Sequence, residues 1–390
     1  MTRRGFTLME VMVASAMGLV VLTATLTVGV QLQRKAFFEQ QSSLMQGGTQ
    51  AVSDFFGPML QRAGEGMGNA RINLGGSTFA YAIQVTTADR FSGFPGFSPP
   101  PDVYGDRISD SLQLRWGDAT SMVPLSSCQL SGADGGTGGF SREGSGLCTA
   151  LQATTFPQGT PVFVVNPDLP EACSQIITGT STSGTPGVHA PTLPATPYPS
   201  SNDAPAGDGC AMGGSLYATQ RSVVMSSGGA TFRVNWATGS PVLEYTGRAP
   251  PLPSDAWTEV SRDVEQMTIA FGVRDLSTDA GVPLTWFPGA DGGVPIDQCL
   301  GQSPSGSCAV PGGMGPPALD PTAWDALMRR VRAVEVRLVA RSSRRENGPV
   351  LTPDGGGFAR DEYGNPDDGL LRRTLVLTLA PRNYQLAGSF

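Results

Sequence analysis

Histidine and charged residues are both scarce in this chain of 390 residues. Histidine occurs once, as His189, and charged residues make up 15 % of the sequence, against roughly 25 % in an average soluble domain. Histidine is the commonest general acid–base group, so its scarcity argues against Ser-His, Cys-His and multi-histidine zinc chemistry. Carboxylate catalysis stays open on this argument alone. We expect no enzyme activity, no catalytic residue, no cofactor and no metal site, with His189 a solvated loop residue.

Basic residues are outnumbered as well. Lys plus Arg number 26 and Asp plus Glu number 33, which gives a net charge of −7, and the acidic excess lies beyond residue 64. An acidic domain repels a phosphate backbone, so we expect no nucleic-acid partner. One acidic cluster near the C-terminus could hold calcium between two strands, but a solvated acidic surface loop is the preferred interpretation. It comprises Asp354, Asp361, Glu362, Asp367 and Asp368 together with Asn365.

The sequence contains six cysteines but no CxxC pair, and their spacing fits no zinc ribbon or redox motif. All of them follow the apolar N-terminal segment and lie in loop-like sequence, which predicts disulfides formed in an oxidising compartment. Fifteen pairings are possible. The simplest joins neighbours along the sequence: Cys128 with Cys148, Cys173 with Cys210, and Cys299 with Cys308.

The N-terminus combines a short basic leader with a long apolar run. The leader is MTRRG, and the run from Phe6 to Val30 carries a single charge, Glu10. As a helix, the uncharged residues 11–30 would span about 30 Å, the thickness of a bilayer core. A secretory signal places its small-residue cleavage site after the apolar run. Here Gly5 precedes the run, so cleavage after Gly5 would leave the apolar helix on the mature protein.

The segment R-R-G-F-T-L-M-E before this helix resembles the class III signal of type IV pilins and type II secretion pseudopilins. The resemblance implies that a prepilin peptidase cleaves between Gly5 and Phe6 and N-methylates Phe6. It also implies that Glu10, the fifth mature residue, is the carboxylate used in filament assembly. An ionised carboxylate at bilayer depth costs a few kcal/mol unless it is paired. We therefore expect Glu10 to meet the amine of Phe6, one helical turn away, or that of a neighbouring subunit.

The helix is predicted to continue beyond the membrane to about residue 64. Apolar residues recur there at intervals of three or four, which predicts a stripe that packs on the chain's own head domain. Gly47-Gly48 and Pro58 are predicted points of kinking or fraying. The stripe comprises Leu44, Gly48, Ala51, Phe55 and Met59.

Beyond residue 65 the apolar period changes to two, which is typical of half-buried antiparallel strands. The clearest segments are 109–116, 265–274, 334–341 and 373–380, and further candidates are 161–166, 231–236 and 241–246. The Gly-, Ser-, Thr- and Pro-rich residues 174–215 are predicted to form a long surface loop. The fold class is therefore α+β, with a long N-terminal helix packed on an antiparallel β-rich head.

Several head segments resemble the PilW family of large minor pilins. They are AVSDFFGPMLQRAGEGMG, SDSLQLRW, DVEQMTIAFGV, RAVEVRLVARS and RRTLVLTLAPRN. The resemblance implies a minor pilin that primes type IV pilus assembly, near the pilus tip, and that serves twitching motility. Its partners would be other minor pilins, the major pilin, the prepilin peptidase and the inner-membrane assembly machinery. The long cysteine-bearing insertions depart from the pattern, so their role is not implied.

Three segments follow from these predictions: a cleaved leader over 1–5, a pilin helix over 6–64 that crosses the membrane at about 6–30, and a head over 65–390. Before assembly the chain would be a single-pass inner-membrane protein with its head in the periplasm. Two other functions stay open: a J-type minor pseudopilin of type II secretion, and an adhesin-like binding module at the tip.

Overall fold

The computed structural model describes eleven stretches of the chain. They are residues 7–75, 78–105, 107–124, 146–148, 156–166, 171–177, 192–197, 222–274, 284–288, 327–345 and 368–381. The chain divides into two compact units, Met1–Ala51 and Val52–Phe390. The first is helical from Leu8 onwards, and the second contains the last turns of the same helix and all of the described strands.

A continuous helix, α1 (Leu8–Arg62), occupies the N-terminal part of the chain. It includes Pro58 and passes through Gly47-Gly48 without a break. The helix ends at Arg62, because the glycine-rich run that follows adopts left-handed backbone. Gly64 has a φ of 76°, a conformation that costs a residue without a Cβ very little. Its N–H donates to the carbonyl of Arg115, at 2.9 Å, instead of continuing the helix.

The described residues of the head form two sheets. The larger one has twelve strands: β1 (Arg71–Gly75), β2 (Thr78–Ala80), β3 (Ile83–Thr87), β4 (Asp110–Gly117), β5 (Val123–Pro124), β6 (Gly146–Cys148), β7 (Pro161–Val165), β8 (Glu171–Ile177), β9 (Thr192–Pro197), β10 (Val223–Asn235), β11 (Val242–Thr246) and β12 (Thr258–Arg262). The smaller one has the order β14-β13-β15-β16, formed by β13 (Val264–Val273), β14 (Thr285–Phe287), β15 (Val331–Arg345) and β16 (Leu370–Leu379).

Strand pairing is antiparallel throughout the described ladders, except that β1 and β8 run parallel. The predicted α+β class, with a long helix and an antiparallel β-rich head, is therefore confirmed. The four segments predicted from period-two alternation and the three further candidates each overlap a strand and extend at most one residue beyond either of its ends, namely β4, β7, β10, β11, β13, β15 and β16. In the four clearest segments, alternation places the apolar residues on one face, because successive side chains of a strand point to opposite faces.

The strand β10 passes from one half of the larger sheet to the other. Its residues 223–226 pair with β7, and its residues 231–235 pair with β11 on the same side. Between these ladders, residues 227–230 pair with β4, and no strand of the described residues pairs with their other side. The larger sheet therefore has a gap between β7 and β11.

The last turns of α1 are embedded in the core of the head. Val52, Phe56 and Leu60 are fully buried together with core residues of both sheets, and the ring of Phe56 stacks on Phe232 of β10 with centroids 4.1 Å apart. Phe55 and Met59, from the predicted stripe, are half-buried against the same core. The centre of the buried face thus lies one residue further along the helix than predicted.

Three expectations about the head are wrong. The strand β4 is buried on both faces, with Gln113 and Arg115 buried as well as its leucines, and β3 and β10 pair with its two edges. The residues 174–215 are not one loop, since they include most of β8 and all of β9. Cys173 does not lie in a loop either; it is buried in β8, which β7 and β1 flank.

Candidate processing and assembly site

The N-terminus of α1 is closed by reciprocal hydrogen bonds between Thr7 and Glu10. The N–H and the hydroxyl of Thr7 donate to Oε2 of Glu10, at 2.9 Å and 3.0 Å. In return, the N–H of Glu10 donates to Oγ1 of Thr7, at 3.3 Å. This arrangement is a capping box, in which the residue before a helix and the third residue within it satisfy each other's unpaired N–H groups.

Sequence reasoning missed this role of Thr7, although its signal is present. Thr-x-x-Glu directly before an apolar run is the signature of a capping box. The carboxylate of Glu10 therefore has donors within its own chain, which lowers the cost of carrying it at the start of an apolar helix. Gly5 and Phe6 lie outside the described residues, so the pairing of Glu10 with the Phe6 amine stays a prediction.

The surface of α1 beyond Glu10 is apolar and exposed within its own unit. Leu8 is 82 % exposed. The exposed fractions of the other large apolar side chains that project from residues 9–30 lie between about half and three-quarters. The stretch Leu8–Gln40 is long and apolar enough to cross a membrane by length and composition, and no residue of its most apolar window is buried in the structure. A soluble protein rarely exposes so large an apolar surface.

The hydroxyl groups on this apolar stretch are satisfied by the helix itself. Ser15 and Thr23 each donate to the carbonyl three residues before them, at 2.9 Å. Thr27 donates to the carbonyl of Thr23, at 2.8 Å. Such internal bonds let a hydroxyl enter an apolar environment without losing a partner. The helix therefore combines apolar side chains with polar groups that need no water.

Of the six cysteines, Cys173 is disulfide-bonded in the structure. The side chains of the other five, Cys128, Cys148, Cys210, Cys299 and Cys308, lie outside the described part of the chain, as does His189. The pairing therefore stays a prediction.

A group of buried charges joins β13, β16 and the segment before β4; we call it the C-terminal ion cluster. It consists of Arg372, Asp368, Glu265, Arg107 and Tyr104. Arg372 donates to both oxygens of Asp368, at 2.8 Å each, and to both oxygens of Glu265, at 2.7 Å and 3.2 Å. Arg107 lies 3.5 Å from Glu265, and the Tyr104 hydroxyl donates to Asp368 at 2.7 Å.

The expectation that Asp368 belongs to a solvated acidic loop is therefore wrong. Its side chain is fully buried, and Arg372, four residues later in the sequence, donates hydrogen bonds to both of its carboxylate oxygens. Burial alone raises the pKa of Asp368, but hydrogen bonds from Arg372, Tyr104 and the N–H of Leu370 outweigh burial and hold the pKa below its ordinary value. Burial and the bond to Asp368 raise the pKa of Tyr104 to about 12. The cluster thus joins β13, β16 and the segment before β4 through buried ion pairs. The other acidic residues of the predicted loop lie outside the described residues.

No group of three or more His, Cys, Asp or Glu side chains is arranged to hold a metal ion in the stretches that the structure describes. The buried carboxylates Glu265 and Asp368 are each bonded to arginine, which leaves them acceptors of hydrogen bonds and not proton-transfer groups.

Comparison with known proteins bears on this N-terminus. The family described as the prokaryotic N-terminal methylation motif matches residues 1–26. No curated protein matches the chain. Among solved structures, the type IV-like pilin TTHA1219 from Thermus thermophilus is similar at 15 % identity, over 58 % of this chain and 86 % of that one, with a TM-score of 0.20.

Proposed function

We propose, from the premise that this chain is a type IV pilin-like protein with an N-terminal methylation motif, that it is a minor pilin of a type IV pilus. In this proposal it resembles the PilW family, primes pilus assembly and lies at or near the tip with other minor pilins. The observation that carries the proposal is a capped helix with one carboxylate at its start, followed by an exposed apolar surface. The apolar surface of such a helix would be covered by the membrane before assembly and by a bundle of similar helices after it.

The processing step follows from the same motif. The prepilin peptidase would remove residues 1–5 by cutting between Gly5 and Phe6, and would methylate the new amine of Phe6. Until assembly, α1 would hold the chain in the inner membrane with residues 65–390 in the periplasm. There the six cysteines would meet oxidising conditions, which supports disulfides in the insertions.

Glu10 would act as the assembly carboxylate by changing its partner. In the isolated chain its carboxylate accepts hydrogen bonds from Thr7. In a bundle, the amine of a neighbouring Phe6 would add an opposite charge, and a desolvated ion pair of this kind would fix the axial register between subunits.

The test separates the charge of Glu10 from its capping role. Glutamine can replace glutamate in a capping box, so Glu10→Gln keeps the helix cap and removes only the charge, whereas Glu10→Ala removes both. We expect both variants to be cleaved and to reach wild-type membrane levels, but to co-purify poorly with the other minor pilins and to give fewer pili. Wild-type pilus counts for Glu10→Gln would contradict the assembly role of the charge.

Two alternatives rest on the same N-terminal motif. A J-type pseudopilin of type II secretion has the same helix, and deletion of the chain would then abolish enzyme secretion and leave pili intact. An adhesin-like module would use the cysteine-bearing insertions, and deletion would then leave pili that no longer attach to surfaces. Loss of pili on deletion, with secretion unchanged, is the result that our proposal requires.

A further inference from the structure

The gap in the larger sheet between β7 and β11 contains a cavity of about 140 Å³. Its walls come from β1, β4, β7 and β8, from residues 247–249 after β11, and from the segment of β10 that no described strand pairs with on that side. That segment contains Gly228 and Gly229. A Cβ on Gly229 would lie 2.8 Å from the backbone nitrogen of Ala249, so glycine lets this wall approach the loop after β11.

Two guanidinium groups line the cavity. Arg115 lies on β4 directly opposite Gly229 and is only 2 % exposed, and it donates to the carbonyl of Tyr81 and to Oε1 of Gln113. Arg248, in the loop after β11, is 38 % exposed and lies 3.7 Å from Asp255. None of the residues that the structure places in the cavity wall is acidic. The lining therefore carries two cations and no carboxylate, although Asp255 offsets part of the charge of Arg248.

The hydroxyl of Ser174 on β8 also lines the cavity. Ser174 is 1 % exposed, and no described residue forms a hydrogen bond with its Oγ. A buried hydroxyl without a partner costs about 1–3 kcal/mol, which a chain retains where a ligand or water completes the bond. A cavity lined by two cations and an unsatisfied donor is suited to a small anion.

We propose that this cavity binds a small organic carboxylate, either a free acid or the C-terminus of a peptide. The apolar walls given by Leu74, Pro161 and Phe163 would contact a short aliphatic body, while Arg248, Arg115 and Ser174 contact the carboxylate. A water molecule takes about 30 Å³ of liquid, so the cavity accepts only a few heavy atoms, which are those of a small acid or of the terminal residue of a peptide. This site is separate from the N-terminal helix and does not depend on the proposed pilin function.

The test uses the full chain in detergent micelles and ligand-detected NMR. The probes are propionate, its uncharged isostere propionamide, triglycine, triglycine amide and inorganic phosphate. We expect propionate or triglycine to bind at millimolar concentration and both amides to fail, because a charge-assisted hydrogen bond is about twice as strong as a neutral one. Tighter binding of triglycine than of propionate would identify a peptide terminus as the ligand. Tighter binding of propionate than of triglycine would identify a free acid.

Two variants and a matched control test where the carboxylate binds. Arg248→Met should weaken binding about tenfold, the usual effect of losing one hydrogen bond to a charged group. Ser174→Ala should weaken it severalfold with no loss of stability, because no described residue bonds to that hydroxyl. Arg262→Met is the control, since Arg262 is also paired with a carboxylate but lies outside the cavity.

The proposal fails if propionamide binds as well as propionate, or if phosphate is the preferred probe. It fails equally if neither carboxylate binds, or if Ser174→Ala and Arg248→Met leave the affinity at the level of Arg262→Met. Urea unfolding of each variant, followed by tryptophan fluorescence, shows whether a loss of binding reflects a loss of the fold.

Discussion

Replacing Arg372 with methionine should destabilise the head more than any other single loss of charge in the C-terminal ion cluster. The arginine is 5 % exposed and lies between two carboxylates that are fully buried. Methionine keeps most of the side-chain volume and removes the cation. Glu265 would retain Arg107 at 3.5 Å, but Asp368 would keep only the hydroxyl of Tyr104 and the N–H of Leu370.

The expected magnitude follows from the charge left behind. Removing one partner of a buried ion pair costs about 3–5 kcal/mol, because the remaining charge is buried without compensation. Arg373 is the matched control, since it is the neighbouring residue on β16 and is exposed. A surface substitution such as Arg373→Met changes the free energy of unfolding by about 0.5 kcal/mol or less.

Acid should reduce the difference in the free energy of unfolding between Arg372→Met and wild type. The pKa of Asp368 is lowered in the folded protein, so its stabilising contribution is present above the unfolded carboxyl pKa of about 3.9 and is lost as the pH falls through the lower folded value. In the variant, burial favours the neutral acid, so protonation relieves the strain instead. We expect a large deficit at pH 7 that shrinks towards pH 4.

Urea unfolding of the full chain in detergent measures both effects, since Trp236 is buried in the core and its fluorescence reports on the head. The double variant Arg372→Met, Asp368→Asn should recover part of the stability, because the orphaned charge is removed. The cluster does not stabilise the head if Arg372→Met unfolds at the same urea concentration as Arg373→Met. The same conclusion holds if the loss of unfolding free energy is equal at pH 7 and pH 4.

Three further predictions concern the helix, the leader and the thiols. Phe56→Ala should cost about 3–5 kcal/mol of head stability in urea unfolding, because it opens a cavity in the core, whereas Phe38→Ala, on the exposed helix surface, should leave the midpoint unchanged. Gly5→Leu should leave an uncut precursor, because a side chain would block the close approach of the peptidase; a mature N-terminus at Phe6 in this variant would refute it. Non-reducing mass spectrometry should find three linkages, each contributing about 2–4 kcal/mol, and six cysteines alkylated in the native protein would contradict them.

The architecture could be predicted from the sequence where one periodic pattern dominates. Met267, Ile269 and Phe271 alternate along β13, and the structure buries all three, since one face of that strand packs on the core. Three glycines with left-handed backbone, Gly64, Gly66 and Gly68, mark the end of α1, whereas Gly47-Gly48 lies within the helix. These features depend on residues close together along the chain.

What could not be predicted depends on contacts between distant residues. Asp368 sits in an acidic, glycine-rich segment and has the local pattern of a solvated loop. In the structure it is buried among residues more than a hundred positions away: Tyr104 donates to it directly, and Arg372 joins it to Glu265. The burial of both faces of β4 follows in the same way from neighbours that alternation along β4 does not specify. The cavity beside Ser174 depends on where two ladders stop along β10, which only pairing determines.

The end of α1 also determines how the head would respond to mechanical force. If the chain is part of a pulled filament, tension carried along the helix enters the head through the packed side chains of Val52, Phe56 and Leu60 and through the bond from Gly64 to Arg115. Arg115 belongs to β4, which pairs with β3 on one side and with β10 on the other. The load would thus be divided between two ladders of backbone hydrogen bonds as soon as it leaves the helix, so no single bond would have to resist the full pull.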